Sequence, residues 1–244
     1  MEFPPFHPQK YLGKIFRNIF TNASGQHILH DICDEKDLSV LEPLIQLTSG
    51  IDHQQPPSHR PFQYAKIEDE QILAVFKKEN WNTGRFGDGK SYGVWYGAEE
   101  EETSVLEACW VCYRLAKDNM SPHNEVYASE RAMYSAQIQT EFAIDVTNEK
   151  NLFSKLIHPV DYGYCQMLGQ KIFESHYQML KTPSARKKKR TCTPIFSPDP
   201  IKNTQRIYYL KINVYPDGQI GVDSSQEKVR TLIKVADLQA PYEE

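Results

Sequence analysis

Arg85, Tyr96, Glu107 and Ser184 are the residues whose types and spacing suit a chemistry that needs neither metal nor histidine. Arg85 lies in a turn with glycines at 84, 87 and 89, which permit a tight backbone that bulkier residues forbid. Tyr96 belongs to the aromatic stretch that follows, and Glu107 falls about one turn into a predicted helix. An arginine clamps a pyrophosphate through paired hydrogen bonds, which a lysine does less well. A carboxylate beside a sugar carbon stabilises developing oxocarbenium charge. A tyrosine stacks on a flat ring or positions a sugar, and a serine hydroxyl bonds one. Those types together suit cleavage of an activated N-glycosidic bond, whose cationic leaving group needs no general acid. Each residue also has a structural reading: Arg85 and Glu107 as a fold-stabilising ion pair, Tyr96 as core, Ser184 as the cap of a turn. Ser184 has no visible base partner and is not read as a nucleophile.

The elements that must position these groups follow from periodicity. Tyr92, Val94 and Tyr96 alternate with Gly93, Trp95 and Gly97, a strand with one face nearly bare, where a ligand or another backbone can approach. A helix to about Lys117 follows, with Thr103 as its cap and the acids at 99–102 favouring the positive end of its dipole. Alternation over 136–146 predicts a strand, residues 151–157 and 162–179 read as helices, and His176 falls on the mainly apolar face of the second. Alternation over 207–214, then Pro216-Asp217-Gly218 and residues 219–222, predicts a hairpin. Residues 62–67 and 72–76 read as short strands. The run at 186–190, all lysine and arginine, reads as a solvated loop that can attract an anionic ligand or acidic partner.

Toward the start, Tyr11, Leu12, Ile15, Phe16, Ile19 and Phe20 have the spacing of an amphipathic helix. Residues 37–47 are Leu-rich but interrupted by Pro43. His27 and His30 lack a third ligand nearby. Residues 50–61, with Gln54-Gln55-Pro56-Pro57, read as a linker. The expected organisation is thus a helical extension and linker over 1–60 and one domain over 61–244. The fold class is α+β, a mixed, mostly antiparallel sheet with inserted helices.

The 244 residues suffice for a core of ordinary size, and a net charge of -4 argues against a protein devoted to nucleic acid. Five scattered cysteines fit free thiols in a reducing cytosol better than a disulfide framework. Cys109 and Cys112 form one Cys-x-x-Cys inside the Glu107 helix, without the second pair that a zinc site needs, so no metal is expected. No basic start with an apolar run opens the chain and no stretch has the ~20 apolar residues that span a bilayer, so a cytoplasmic protein is expected. A Walker loop, Gly-x-Ser-x-Gly and His-Glu-x-x-His are absent, and the glycines at 84–89 precede a strand, opposite to a dinucleotide fingerprint.

Two blocks resemble the RES domain, the toxin module of many bacterial toxin-antitoxin pairs. Arg85-Phe86, then Val94-Trp95-Tyr96-Gly97-Ala98, then Thr103-Ser104-Val105-Leu106-Glu107 resembles the family's first block; Thr182-Pro183-Ser184-Ala185-Arg186 resembles its second. The chain departs at Gly87, where many relatives carry asparagine or serine, and in the lysines after Ser184. The resemblance covers roughly 60–215. It implies an ADP-ribosyltransferase-like fold and NAD as substrate, hydrolysed, phosphorolysed or used to ADP-ribosylate a protein. It further implies catalytic roles for Arg85, Glu107 and Ser184, NAD contacts for Tyr96 and for the upstream Arg60 and Tyr64, and an Xre-type antitoxin as partner. A protein ADP-ribosyltransferase on the same pocket and a non-catalytic interaction protein are the alternatives.

Overall fold

A computed structural model describes residues 6–21, 72–119, 126–225 and 231–239. Eight strands form one mixed sheet: β1 Gln9–Phe20, β2 Trp95–Ala98, β3 Tyr127–Asp145, β4 Met179–Pro183, β5 Thr191–Ile195, β6 Ile201–Val214, β7 Gln219–Ser224 and β8 Thr231–Lys234. Between them lie helices α1 Glu101–Asn119, α2 Phe153–Leu156, α3 Gly163–Glu174 and α4 Val235–Gln239. The fold is α+β. Strand order is β1-β2-β5-β4-β3-β6-β7-β8, and β1 also pairs with β3, so the first five strands of that order close on themselves. Only β3 and β4 run parallel among the recorded pairings.

β1 corrects the helix expected there. Its apolar doublets mimic a helical stripe because both faces of the strand carry apolar residues, Ile15 buried on one and Phe16 half-buried between exposed Leu12 and Phe20 on the other, which erases strict alternation. Ile15 points into the core with Trp95 and Met179, whereas Phe16 packs on the opposite cluster with Cys109 and Met133. Eleven register pairs tie β1 to β3, from Gln9↔Ala143 to Phe20↔Arg131. Residues 9–20 are therefore part of the same sheet.

The bare face of the aromatic stretch serves packing. A Cβ on Gly93 would stand 2.0 Å from the Val75 carbonyl oxygen, and one on Gly97 2.4 Å from Ile15 Cγ2. A neighbouring backbone and a neighbouring strand, respectively, use the space that the missing side chains leave. Val75 lies in a 3-10 turn, Ala74–Phe76, where a strand was expected; so short an apolar run carries no usable period. The regular strand begins only at Trp95, although Tyr92 and Val94 are buried.

α1 begins at Glu101, so Thr103 lies inside its first turn, fully buried, and does not cap it; Glu101 and Glu102 supply the negative charge favoured there. Its inner face, Ala108, Cys109, Cys112 and Ala116, packs on Leu210, Ile212 and Ile220 of β6 and β7. Burial pushes the Cys109 thiol up to about 12. α3 packs Cys165, Leu168 and Ile172 against Phe86, Tyr92 and Leu180. It stops at Glu174, short of the expected end, because His176 adopts φ 60 and the chain turns into β4. The expected hairpin forms: Gly218, with φ 81, closes the turn between β6 and β7. The strand expected over 136–146 is the second half of the longer β3.

No described helix is long and apolar enough to cross a membrane. Arg60, Tyr64, His27, His30, Cys33, the segments 37–47 and 62–67 and the boundary near residue 60 lie outside the described residues.

Candidate functional site

Glu107 stands on the second turn of α1, the side of the helix that meets the end of β4. Ser184 immediately follows β4 and is buried. Its Oγ donates to Glu107 Oε1 at 2.8 Å. The same oxygen accepts the amides of Arg186 at 3.1 Å and Lys187 at 3.2 Å, and the Ser184 amide donates to the Arg190 carbonyl at 2.8 Å. Ser184 thus does cap a turn, and that turn fixes where its proton goes. Two N–H groups occupy the oxygen, so the hydroxyl hydrogen is directed to the carboxylate.

Arg186 corrects the solvated reading of its run. Its side chain has no exposure, and its guanidinium lies 4.0 Å from the Trp110 ring centre. Nη1 donates to the Leu238 carbonyl at 3.0 Å and Nη2 to that of Pro159 at 3.1 Å. Its Nε is 3.7 Å from Glu107 Oε2, an ion pair too long for a hydrogen bond. Burial lowers its pKa, with Glu107 opposing and Arg85 adding to the shift. The glutamate side chain keeps 29% exposure, so the pair is closed on one side and open on the other.

Two further residues of that run are matched, and so is Lys181 of β4. Lys187 pairs with Glu102 at 2.8 Å and Arg190 with Glu100. Lys181 reaches Glu99 at 2.8 Å, and Thr191 and Tyr11 donate to the same carboxylate. The acids entering α1 and the bases around Ser184 are two sides of one charge ladder. The sequence contained both runs, but separations of 82 and 85 residues hid that they face each other.

Arg85 sits opposite. Its Nη1 donates to the carbonyls of Leu156 at 3.0 Å and His158 at 2.8 Å, and its guanidinium lies 4.6 Å from the Tyr162 ring centre. Nη2 is buried without a hydrogen-bond partner. Arg85 is close enough for its charge to act on both Arg186 and Cys192. It makes no ion pair with Glu107 among the described residues; the cation facing that carboxylate is Arg186. Arg114 of α1 approaches the same Tyr162 ring at 5.7 Å.

Tyr96 holds the Gly-rich turn from beneath. Its hydroxyl accepts the Phe86 amide at 2.9 Å, and a Cβ on Gly84 would stand 2.6 Å from that oxygen. Burial raises its pKa, so the phenol stays neutral. From the other side, Gly169 of α3 lets the Phe86 carbonyl approach to where its own Cβ would be, at 2.1 Å. Tyr92 donates to that carbonyl at 2.9 Å. The turn bearing Arg85 is therefore fixed by β2 below and α3 beside it.

Cys192 of β5 completes the group, its Sγ 3.4 Å from Glu107 Oε1. Arg186, Cys192 and Tyr162 were not singled out as site residues; only the arginine had a signal, as the last residue of the second block. Cys109 and Cys112 are buried in the core, and among the described residues no cluster of His, Cys, Asp and Glu suits a metal ion.

The residues arranged around Glu107 lie within a stretch that one family model covers. The model of the RES domain matches residues 51–212. The chain belongs to the RES domain family. The RES match includes Arg85, Tyr96, Glu107 and Ser184, and β1 lies before it. Among curated proteins, none matches the chain.

Proposed function

We propose that this RES domain protein is a toxin-like enzyme that cleaves the nicotinamide–ribose bond of NAD. The observation that carries the reading is the partly exposed Glu107 carboxylate, held by the Ser184 hydroxyl on one oxygen and facing the buried Arg186 guanidinium on the other. Nicotinamide leaves as a neutral molecule from a cationic ring, so no acid is required. The ribose carbon gains positive charge as the bond breaks, and a preorganised carboxylate stabilises it or bonds a ribose hydroxyl.

Arg85 contributes its unpartnered Nη2 to the pyrophosphate while Nη1 keeps the turn in place. Tyr96, whose hydroxyl is engaged by Phe86, acts by positioning that turn, and its ring supports the nicotinamide or its ribose. Arg60 and Tyr64 join the NAD contacts from the segment entering the domain. Ser184 orients Glu107 and is no nucleophile, since its oxygen already accepts the amides of Arg186 and Lys187 and has no lone pair left for a ribose carbon. Water or phosphate is the acceptor, the protein acts in the cytoplasm, and an Xre-type antitoxin covers the site.

Induced expression in bacteria tests the reading. Cellular NAD falls and growth stops with the wild-type chain, and Glu107→Ala, expressed to the same level, leaves both unchanged. Equal toxicity of the two would refute it. Labelled NAD that marks a lysate protein without forming free ADP-ribose would transfer the site to protein ADP-ribosylation.

A further inference from the structure

Glu107 Oε1 receives two donors from different elements, the Ser184 hydroxyl at 2.8 Å and the Cys192 thiol at 3.4 Å. Oε2 receives no hydrogen bond in the described structure and lies 3.7 Å from Arg186 Nε. One donor leaves a carboxylate free to rotate about its last torsion; two donors on one oxygen, approaching from the end of β4 and from β5, define its plane. We propose that Cys192 is a positioning residue for Glu107: together with Ser184 it pins Oε1, so that Oε2 is the oxygen presented to the ribose. This rests on the NAD-cleaving reading above.

Three features support a thiol that donates there. Register pairs Cys192 with Thr182 of β4 and with Ala98 of β2, so it sits between two strands and cannot swing away from α1. Burial, then the Glu107 charge, push the thiol well above its ordinary value, so it carries its proton near neutrality and has one to give. Finally, neither nearby arginine donates to Oε1: Arg186 gives Nη1 and Nη2 to carbonyls and holds Nε 3.7 Å from Oε2, and Arg85 gives Nη1 to two carbonyls. The thiol is the second donor to Oε1.

The test follows the Glu107 carboxyl carbon by NMR at one fixed neutral pH in protein labelled at glutamate, with the resonance assigned by its loss in Glu107→Gln. Cys192→Ala removes the donor; Cys192→Ser keeps a donor in nearly the same volume. In Cys192→Ala the Glu107 resonance moves away from its wild-type position, and in Cys192→Ser it returns toward it. kcat falls about threefold in Cys192→Ala with KM little changed, and recovers in Cys192→Ser. Thermal unfolding shows that each variant is folded, and Cys192→Val replaces the alanine if it is not. An unmoved Glu107 resonance in the donorless variants, or a serine variant that behaves like alanine, overturns the proposal. A wild-type protein that leaves NAD intact while the resonance still follows residue 192 removes the NAD reading and keeps the positioning role.

Discussion

The Ser184 hydroxyl lies 2.8 Å from Glu107 Oε1 and has its oxygen filled by the amides of Arg186 and Lys187. One side chain therefore closes a backbone turn and aims a carboxylate. Ser184→Ala leaves the buried Arg186 amide and the partly buried Lys187 amide without their acceptor and frees Glu107. The expected result is a loss of ~1–2 kcal/mol in urea unfolding and a fall in kcat of roughly tenfold to a hundredfold. KM changes little, because the loss concerns orientation of the carboxylate; a raised KM with normal kcat would assign Ser184 to substrate binding instead.

Two arginines of the same basic run have opposite weights. Arg186 has no exposure, stacks on Trp110 and donates to two carbonyls in a fixed fork. Lysine reproduces neither the stacking nor the fork, so Arg186→Lys costs about 3 kcal/mol or more. Arg190 is an exposed partner of Glu100, and Arg190→Lys costs less than about 0.5 kcal/mol. Denaturant midpoints of the two variants measure the contrast directly; equal shifts would contradict the burial argument.

Gly169 connects a helix of the core to the turn that bears Arg85. A methyl group there meets the Phe86 carbonyl at 2.1 Å, and neither backbone is free to retreat. Gly169→Ala is expected to destabilise by roughly 1–3 kcal/mol, the range for overpacking. Activity falls further than stability accounts for, since the displaced turn carries Arg85. Kinetics well below the unfolding temperature separate the two effects, and unchanged kinetics would place the strain elsewhere.

Glu99 supplies a pH signature. Burial alone would raise its pKa, but hydrogen bonds from Lys181, Thr191 and Tyr11 together with the lysine charge hold it below the ordinary carboxylate value. Its folded pKa is depressed, so the stabilisation is present above the unfolded value and disappears as pH falls through the folded one. Glu99→Gln is therefore less stable than wild type at neutral pH, and the gap closes in acid below the usual carboxylate range. A gap that persists in acid would mean that the charge of Glu99 contributes nothing.

The sequence carried the sheet where one face of a strand differs from the other, as in the second half of β3 and the β6–β7 hairpin. It misled at β1, where Ile15 is buried on one face, Phe16 packs half-buried on the other, and the alternation vanishes. Glu107 and Ser184 were legible as types in two blocks, and their contact joins positions 77 residues apart. What no local pattern could reveal was Arg186: a charge beside three lysines looks solvated until Trp110, Leu238 and Pro159, from three other parts of the chain, are seen to enclose it.

Nicotinamide release from NAD by purified protein, measured with and without phosphate beside Glu107→Ala, tests the central claim most directly. The account predicts release by the wild-type chain that Glu107→Ala lowers by at least about a hundredfold, with phosphate dependence distinguishing phosphorolysis from hydrolysis. Release that continues undiminished in Glu107→Ala would contradict it.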